Sequence, residues 1–137
     1  LLASSAASYV YKRQFVTFLG WVKDPQLLYA DMDCGLMLST NEAFGRVTIE
    51  YMRANLLVIA SDGGANSELV DDGVTGFLFK TGDVSQLADK MAFAIDHQDK
   101  MKDIAGRGWK FSQSHFLSSD NTAAVYNTYL KYGAVDK

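Results

Sequence analysis

The sequence predicts an α/β fold with a doubly wound parallel sheet, and three observations carry that prediction. Runs such as Leu56-Leu57-Val58-Ile59-Ala60 are apolar throughout rather than alternating, as in strands buried on both faces. Stretches with helical spacing separate these runs, and strands that alternate with helices form a parallel sheet joined by crossovers. The residues after each run are rich in Gly, Ser and acids, the composition of the carboxyl-end loops where ligands bind in such folds.

Element by element, Phe15-Val16-Thr17-Phe18-Leu19 reads as a first strand ended by Gly20. Asp24-Pro25 reads as a helix start, with the acid as cap and proline at the first helical position, and Leu27, Leu28 and Ala30 follow. Cys34-Gly35-Leu36-Met37-Leu38 is a second strand. Gly45 to Asn55 is a helix with Val47, Ile49, Tyr51 and Met52 among its apolar positions, and Asn55 suits its left-handed cap. Leu56 to Ala60 is a third strand and Asn66 to Val70 a short helix. Asp72-Gly73 and Gly76 bracket a turn, and Phe77-Leu78-Phe79 is a fourth strand. From Asp83 onward only helix is predicted: Val84, Leu87, Met91 and Ile95 recur at helical spacing, and Ala123, Tyr126, Tyr129 and Leu130 mark the last helix.

Composition narrows the function. The chain has 137 residues, which suits one domain, and its net charge of −3, without a Lys/Arg stripe, disfavours nucleic acid. The single cysteine, Cys34, excludes an internal disulfide, suits a reducing compartment such as the cytoplasm, and reads as a small core residue. His97 and His115 lack ligand spacing, so no metal site is expected. No apolar run approaches membrane-spanning length. Leu1-Leu2-Ala3 has neither a Met nor the basic start of a signal peptide, so a piece of a longer protein is expected.

The segment Asn41 to Glu50, NEAFGRVTIE, lies on the predicted binding edge. A helix starting near Gly45 presents free N–H groups and its dipole to an anion such as a phosphate, and glycine permits close approach. Glu42 is expected in the loop, free of the helix, and Glu50 in the second turn, leaning back toward the helix start. Carboxylates beside a phosphate site find useful partners in hydroxyls, and two of them flanking a diphosphate suit a nucleotide sugar. Spacing leaves the plainer reading open as well: one acid complementing the dipole, the other on a solvated face.

The run FLGWV…LLYADMDCGLMLSTNEAFGRVTIEYM…VIASDGGANSELVDDGVTGFLF resembles the C-terminal domain of retaining glycosyltransferases of the glycosyltransferase group 1 family. The likeness rests on the Glu42–Glu50 pair around Phe44-Gly45, on Gly63-Gly64 with Glu68, and on Asp72-Gly73 with Gly76. It implies a Rossmann-like domain forming the C-terminal half of a two-domain GT-B fold. It further implies that Glu42 contacts the donor sugar as the catalytic-site acid, that Glu50 binds the ribose hydroxyls, and that the backbone around Phe44, Gly45, Arg46 and Val47 meets the sugar and diphosphate. Gly20 and Trp21 would lie near the base.

The implied reaction moves a sugar from a nucleoside diphosphate sugar with retention, without metal or other cofactor. The acceptor, a sugar, lipid or small molecule, would be read by an N-terminal domain outside this chain, and peripheral membrane contact of the full protein is left open. The family's phosphate-holding Arg and Lys would precede residue 1, so the isolated chain is expected to be inactive or weak. The family's Gly-x-Pro before the third strand is replaced here by Asn55-Leu56-Leu57. The competing readings are a non-catalytic nucleotide-binding or association module and, ranked below it, a GT-B epimerase.

Overall fold

A computed structural model describes residues 15–116 and 118–131. Three strands form one parallel sheet in chain order: β1 (Cys34–Met37), β2 (Leu57–Ser61) and β3 (Phe77–Phe79). The register runs from Cys34 opposite Leu57 to Met37 opposite Ala60, then from Ile59 opposite Phe77 to Ser61 opposite Phe79. Between the strands lie helices α1 (Arg46–Arg53) and α2 (Asn66–Leu69). After β3 come α3 (Val84–Asp96), α4 (Gln98–His115) and α5 (Ser118–Lys131). Among the described residues no helix is long and apolar enough to cross a membrane.

The pleat of β2 explains why its run is apolar without a break. Every residue from Leu57 to Ser61 is buried. Leu57 and Ile59 point to one face, packing with Phe77, Phe79 and the α4 residues Met101 and Ile104. Val58 and Ala60 point to the other, against Met52 of α1, Val70 and Phe111. Helices therefore cover both faces, as the doubly wound reading requires. At the end of α1, Asn55 adopts φ +60, the left-handed cap that Gly usually supplies, and Leu56 and Leu57 turn straight into the core.

Three sequence expectations change. Phe15–Leu19 forms no strand, and Phe15 and Phe18 are 76% and 80% exposed. An apolar run becomes a strand only where a neighbour accepts its ladder, and the three-stranded sheet does not include it. Asp24-Pro25 starts no α-helix. Pro25–Leu27 is a single 3₁₀ turn without a side-chain cap bond, followed by a second at Tyr29–Asp31. On α3, whose Asp83 cap accepts from the Gln86 N–H, Val84 and Ile95 are exposed although their spacing matches partly buried Leu87. The strand β3 meets only part of that stripe.

Candidate functional site

Parallel pairing brings the carboxyl ends of all three strands to one edge, and the loops that leave them are tied together there. Glu42 N–H donates to Gly63 O (3.4 Å) and Ala65 N–H donates to Glu42 O (2.7 Å), so Glu42 and Gly64 form an extra parallel bridge beyond the sheet. The two glycines permit this approach: a Cβ on Gly64 would lie 2.1 Å from Glu42 O, and one on Gly63 2.4 Å from Thr40 O. The Ser61 hydroxyl donates to Ser39 O. Asp62 Oδ1 accepts from both the N–H and the hydroxyl of Thr81, each at 2.8 Å. Those two donors hold the Asp62 carboxyl below its usual range.

Helix α1 springs from this frame. Gly45 sits at its start with φ +70, and a Cβ there would lie 2.1 Å from Leu69 Cδ1. The first intrahelical bond is Ile49 N–H to Gly45 O, so the N–H groups of Arg46, Val47 and Thr48 precede it and face the edge with the positive end of the dipole. The buried Thr48 hydroxyl donates to Asn66 Oδ1 at 2.8 Å, which fixes α1 to α2.

The Glu42 side chain departs from expectation. It is not free of the helix: its Oε1 accepts from Gly45 N–H (2.9 Å) and Phe44 N–H (3.3 Å). The left-handed turn at Gly45 curls those amides back onto the loop. Oε2 receives no hydrogen bond among the described residues, so the carboxylate is oriented through one oxygen and offers the other. Glu50 lies one turn into α1, with its side chain 29% exposed and Oε1 4.0 Å from Arg46 Nη2. Its Oε2 faces the Tyr29 hydroxyl at 3.4 Å.

The structure thus gathers Glu42, Gly45 and the α1 amides on one frame and puts Glu50 one turn away. Phe44 and Arg46 are exposed beside them, and Val47 is 37% exposed. Gly20 and Trp21 stand apart. Gly20 turns the chain at φ +67, Trp21 is 85% exposed, and no hydrogen bond among the described residues links them to these loops. Glu68 is exposed near the start of α2, in keeping with a local role. Tyr29, Asn66 and Thr81 carried no signal in the sequence, because each acts through a partner at least 18 positions away. A cleft of about 700 Å³ opens elsewhere, between the amino-terminal part of β1 and helices α3 and α4, lined by Cys34, Leu36, Met91 and Met101. It contains neither glutamate. Among the described residues no group of three His, Cys, Asp or Glu is placed to hold a metal ion.

The family model described as glycosyl transferases group 1 matches residues 5–111, and the chain belongs to that family. A capsular polysaccharide biosynthesis glycosyltransferase, CapM of Staphylococcus aureus, is 29% identical over 119 residues, which is 85% of this chain and 31% of CapM. Anabaena Alr3699/HepE, solved in complex with UDP-glucose, superposes with a TM-score of 0.81 at 32% identity over 85% of this chain and 32% of HepE. The C-terminal domain of a glycosyl transferase group 1 family protein, LpcC of Francisella tularensis, superposes with a TM-score of 0.65 at 26% identity over 73% of this chain and 51% of that one. The chain spans about a third of the length of the first curated relatives, 31% and 34%. Its fold is the Rossmann-like half of a GT-B glycosyltransferase.

Proposed function

We propose that this chain is the donor-binding domain of a retaining glycosyltransferase that moves a hexose from a nucleoside diphosphate sugar to an acceptor held by another domain of the same protein. One observation carries the reading. Glu42, pinned by backbone bonds and aimed by two amides, shares an edge with the open N–H groups of α1 and with Glu50. That HepE is solved with UDP and with UDP-glucose supports a nucleotide-sugar ligand.

In this reading the diphosphate meets the N–H groups of Arg46, Val47 and Thr48, where helix dipole and backbone donors favour an anion. A donor-sugar hydroxyl donates to the open Oε2 of Glu42, and the ribose hydroxyls donate to Glu50. Phe44 and Gly45 shape the sugar's approach, and Gly20 and Trp21 contribute toward the base. The developing negative charge on the leaving diphosphate is met by fixed backbone dipoles, whose orientation is set before the reaction begins, and no metal or other cofactor is required. Cationic side chains elsewhere in the full protein complete the phosphate site, so the chain by itself binds weakly and does not turn over.

The test is a titration of the chain with UDP, GDP and ADP followed by amide shifts in NMR spectra. The reading expects shifts at Glu42, Gly45, Arg46 and Val47 for one of the three. Glu50→Ala should weaken that affinity roughly tenfold, the scale of one hydrogen bond to a charged group. Shifts confined to the cleft beside β1, or an unchanged affinity in Glu50→Ala, would overturn the assignment.

A further inference from the structure

We propose that Tyr29 is a positioning residue for Glu50, holding one carboxylate oxygen so that the other is presented to the nucleotide ribose. The inference rests on the donor-site reading above and adds to it a residue that neither the motif nor the helix contains.

Tyr29 comes from the 3₁₀ turn ahead of β1, 21 positions before Glu50. The residue is only 8% exposed, and its ring meets Tyr51 edge-on, with centroids 5.4 Å apart at 75°. Tyr51 in turn lies over Gly35 of β1, where a Cβ would come within 2.3 Å of the ring. The glycine in that strand therefore gives the Tyr51 ring its seat, Tyr51 packs edge-on against the Tyr29 ring, and the Tyr29 hydroxyl is directed toward Glu50 Oε2. Burial first, then the charge of Glu50, holds the Tyr29 phenol above its ordinary range, so at neutral pH it is a protonated donor.

The other neighbour of Glu50 is a poorer guide. Arg46 Nη2 lies 4.0 Å from Oε1, on a side chain 81% exposed, and such pairs hold little geometry. The Tyr29 contact at 3.4 Å is long for a hydroxyl and a carboxylate. Its effect is therefore the choice of a Glu50 rotamer more than the strength of one bond. The two glutamates then follow one plan: the amides of Phe44 and Gly45 fix Glu42 through Oε1, and Tyr29 fixes Glu50 through Oε2.

The experiment uses the full chain, Tyr29→Phe, Glu50→Gln and, as a packing control, Tyr51→Phe. Each is titrated with UDP and with 2′-deoxy-UDP, and three-bond couplings report the Glu50 χ1 rotamer without nucleotide. The expected result is a roughly tenfold preference for the ribonucleotide in the parent and in Tyr51→Phe, lost in Glu50→Gln and reduced to within about threefold in Tyr29→Phe. A single Glu50 rotamer in the parent should become averaged in Tyr29→Phe. An unchanged ribose preference in Tyr29→Phe overturns the inference and leaves the donor site standing. If the parent binds no nucleotide, the donor-site reading fails, and the couplings still decide the role of Tyr29: an unaltered rotamer in Tyr29→Phe overturns it, and averaging supports it.

Discussion

At Gly45 the backbone conformation and the packing make the same demand. The residue sits at φ +70, where most L-residues are strained, and a methyl group would meet Leu69 Cδ1. Gly45→Ala is expected to cost about 1–2 kcal/mol in urea unfolding, mainly the left-handed penalty, because the Leu69 Cδ1 that the methyl meets is the end of a flexible side chain. An unshifted midpoint would contradict the left-handed conformation of Gly45.

Asp62 sets a pH dependence. Its carboxyl is held below the ordinary value of 3.8 by the Thr81 donors, so its stabilising effect is present above that value and is lost as the pH falls through the lower folded-state value. Thermal unfolding of Asp62→Ala should therefore fall below the parent at pH 7 and converge with it in strong acid. Cys34 behaves in the opposite sense. Burial, with Asp33 adding to it, pushes the thiol up to about 11, so at pH 7.5 iodoacetamide should alkylate the folded chain far more slowly than the urea-unfolded one.

Among the elements, those legible in the sequence were the ones whose signal is local. β2 and β3 announced themselves by unbroken apolar runs, and α1 by a glycine before it and an asparagine after it. Asn55 at φ +60 does the work of the missing glycine, so Asn55→Gly should be nearly neutral, whereas Asn55→Ala should cost about 1 kcal/mol by denaturant unfolding. Phe15–Leu19 shows the limit of such signals. Its residues are as suited to a strand as those of β2, yet strand formation depends on a partner that the run itself cannot specify. The exposed Val84 and Ile95 make the same point for a helix: spacing defines a stripe, and the neighbouring layer decides how much of it is covered. The candidate site was half legible. The acid pair and Gly45 stand in one short segment, whereas Tyr29, Asn66 and Thr81 join it only through the fold.

Across the whole molecule, stability and site share one support. Met52 of α1 is fully buried against Val58 and Ala60, so the helix that presents Arg46, Val47 and Glu50 is anchored by the core two turns later. Met52→Ala should lower stability by about 2–5 kcal/mol, measured by denaturant unfolding, and it should loosen the site as well, because both depend on how α1 is seated. On the far side, the outer edge of β1 carries no strand among the described residues, and the apolar cleft lies beside it. The candidate site and that edge occupy different regions of the domain.

The rung between Glu42 and Gly64 has a dynamic consequence. Loops at a ligand-binding edge usually exchange their amide hydrogens quickly, because they open without disturbing the core. Here the Ala65 amide is spent on Glu42, and Asp62 is tied to the loop after β3. The three loops therefore have to breathe together or with the strands themselves. Ala65 and Thr81 should keep their hydrogens in D₂O nearly as long as the sheet does, and a site held that still meets its ligand already in shape.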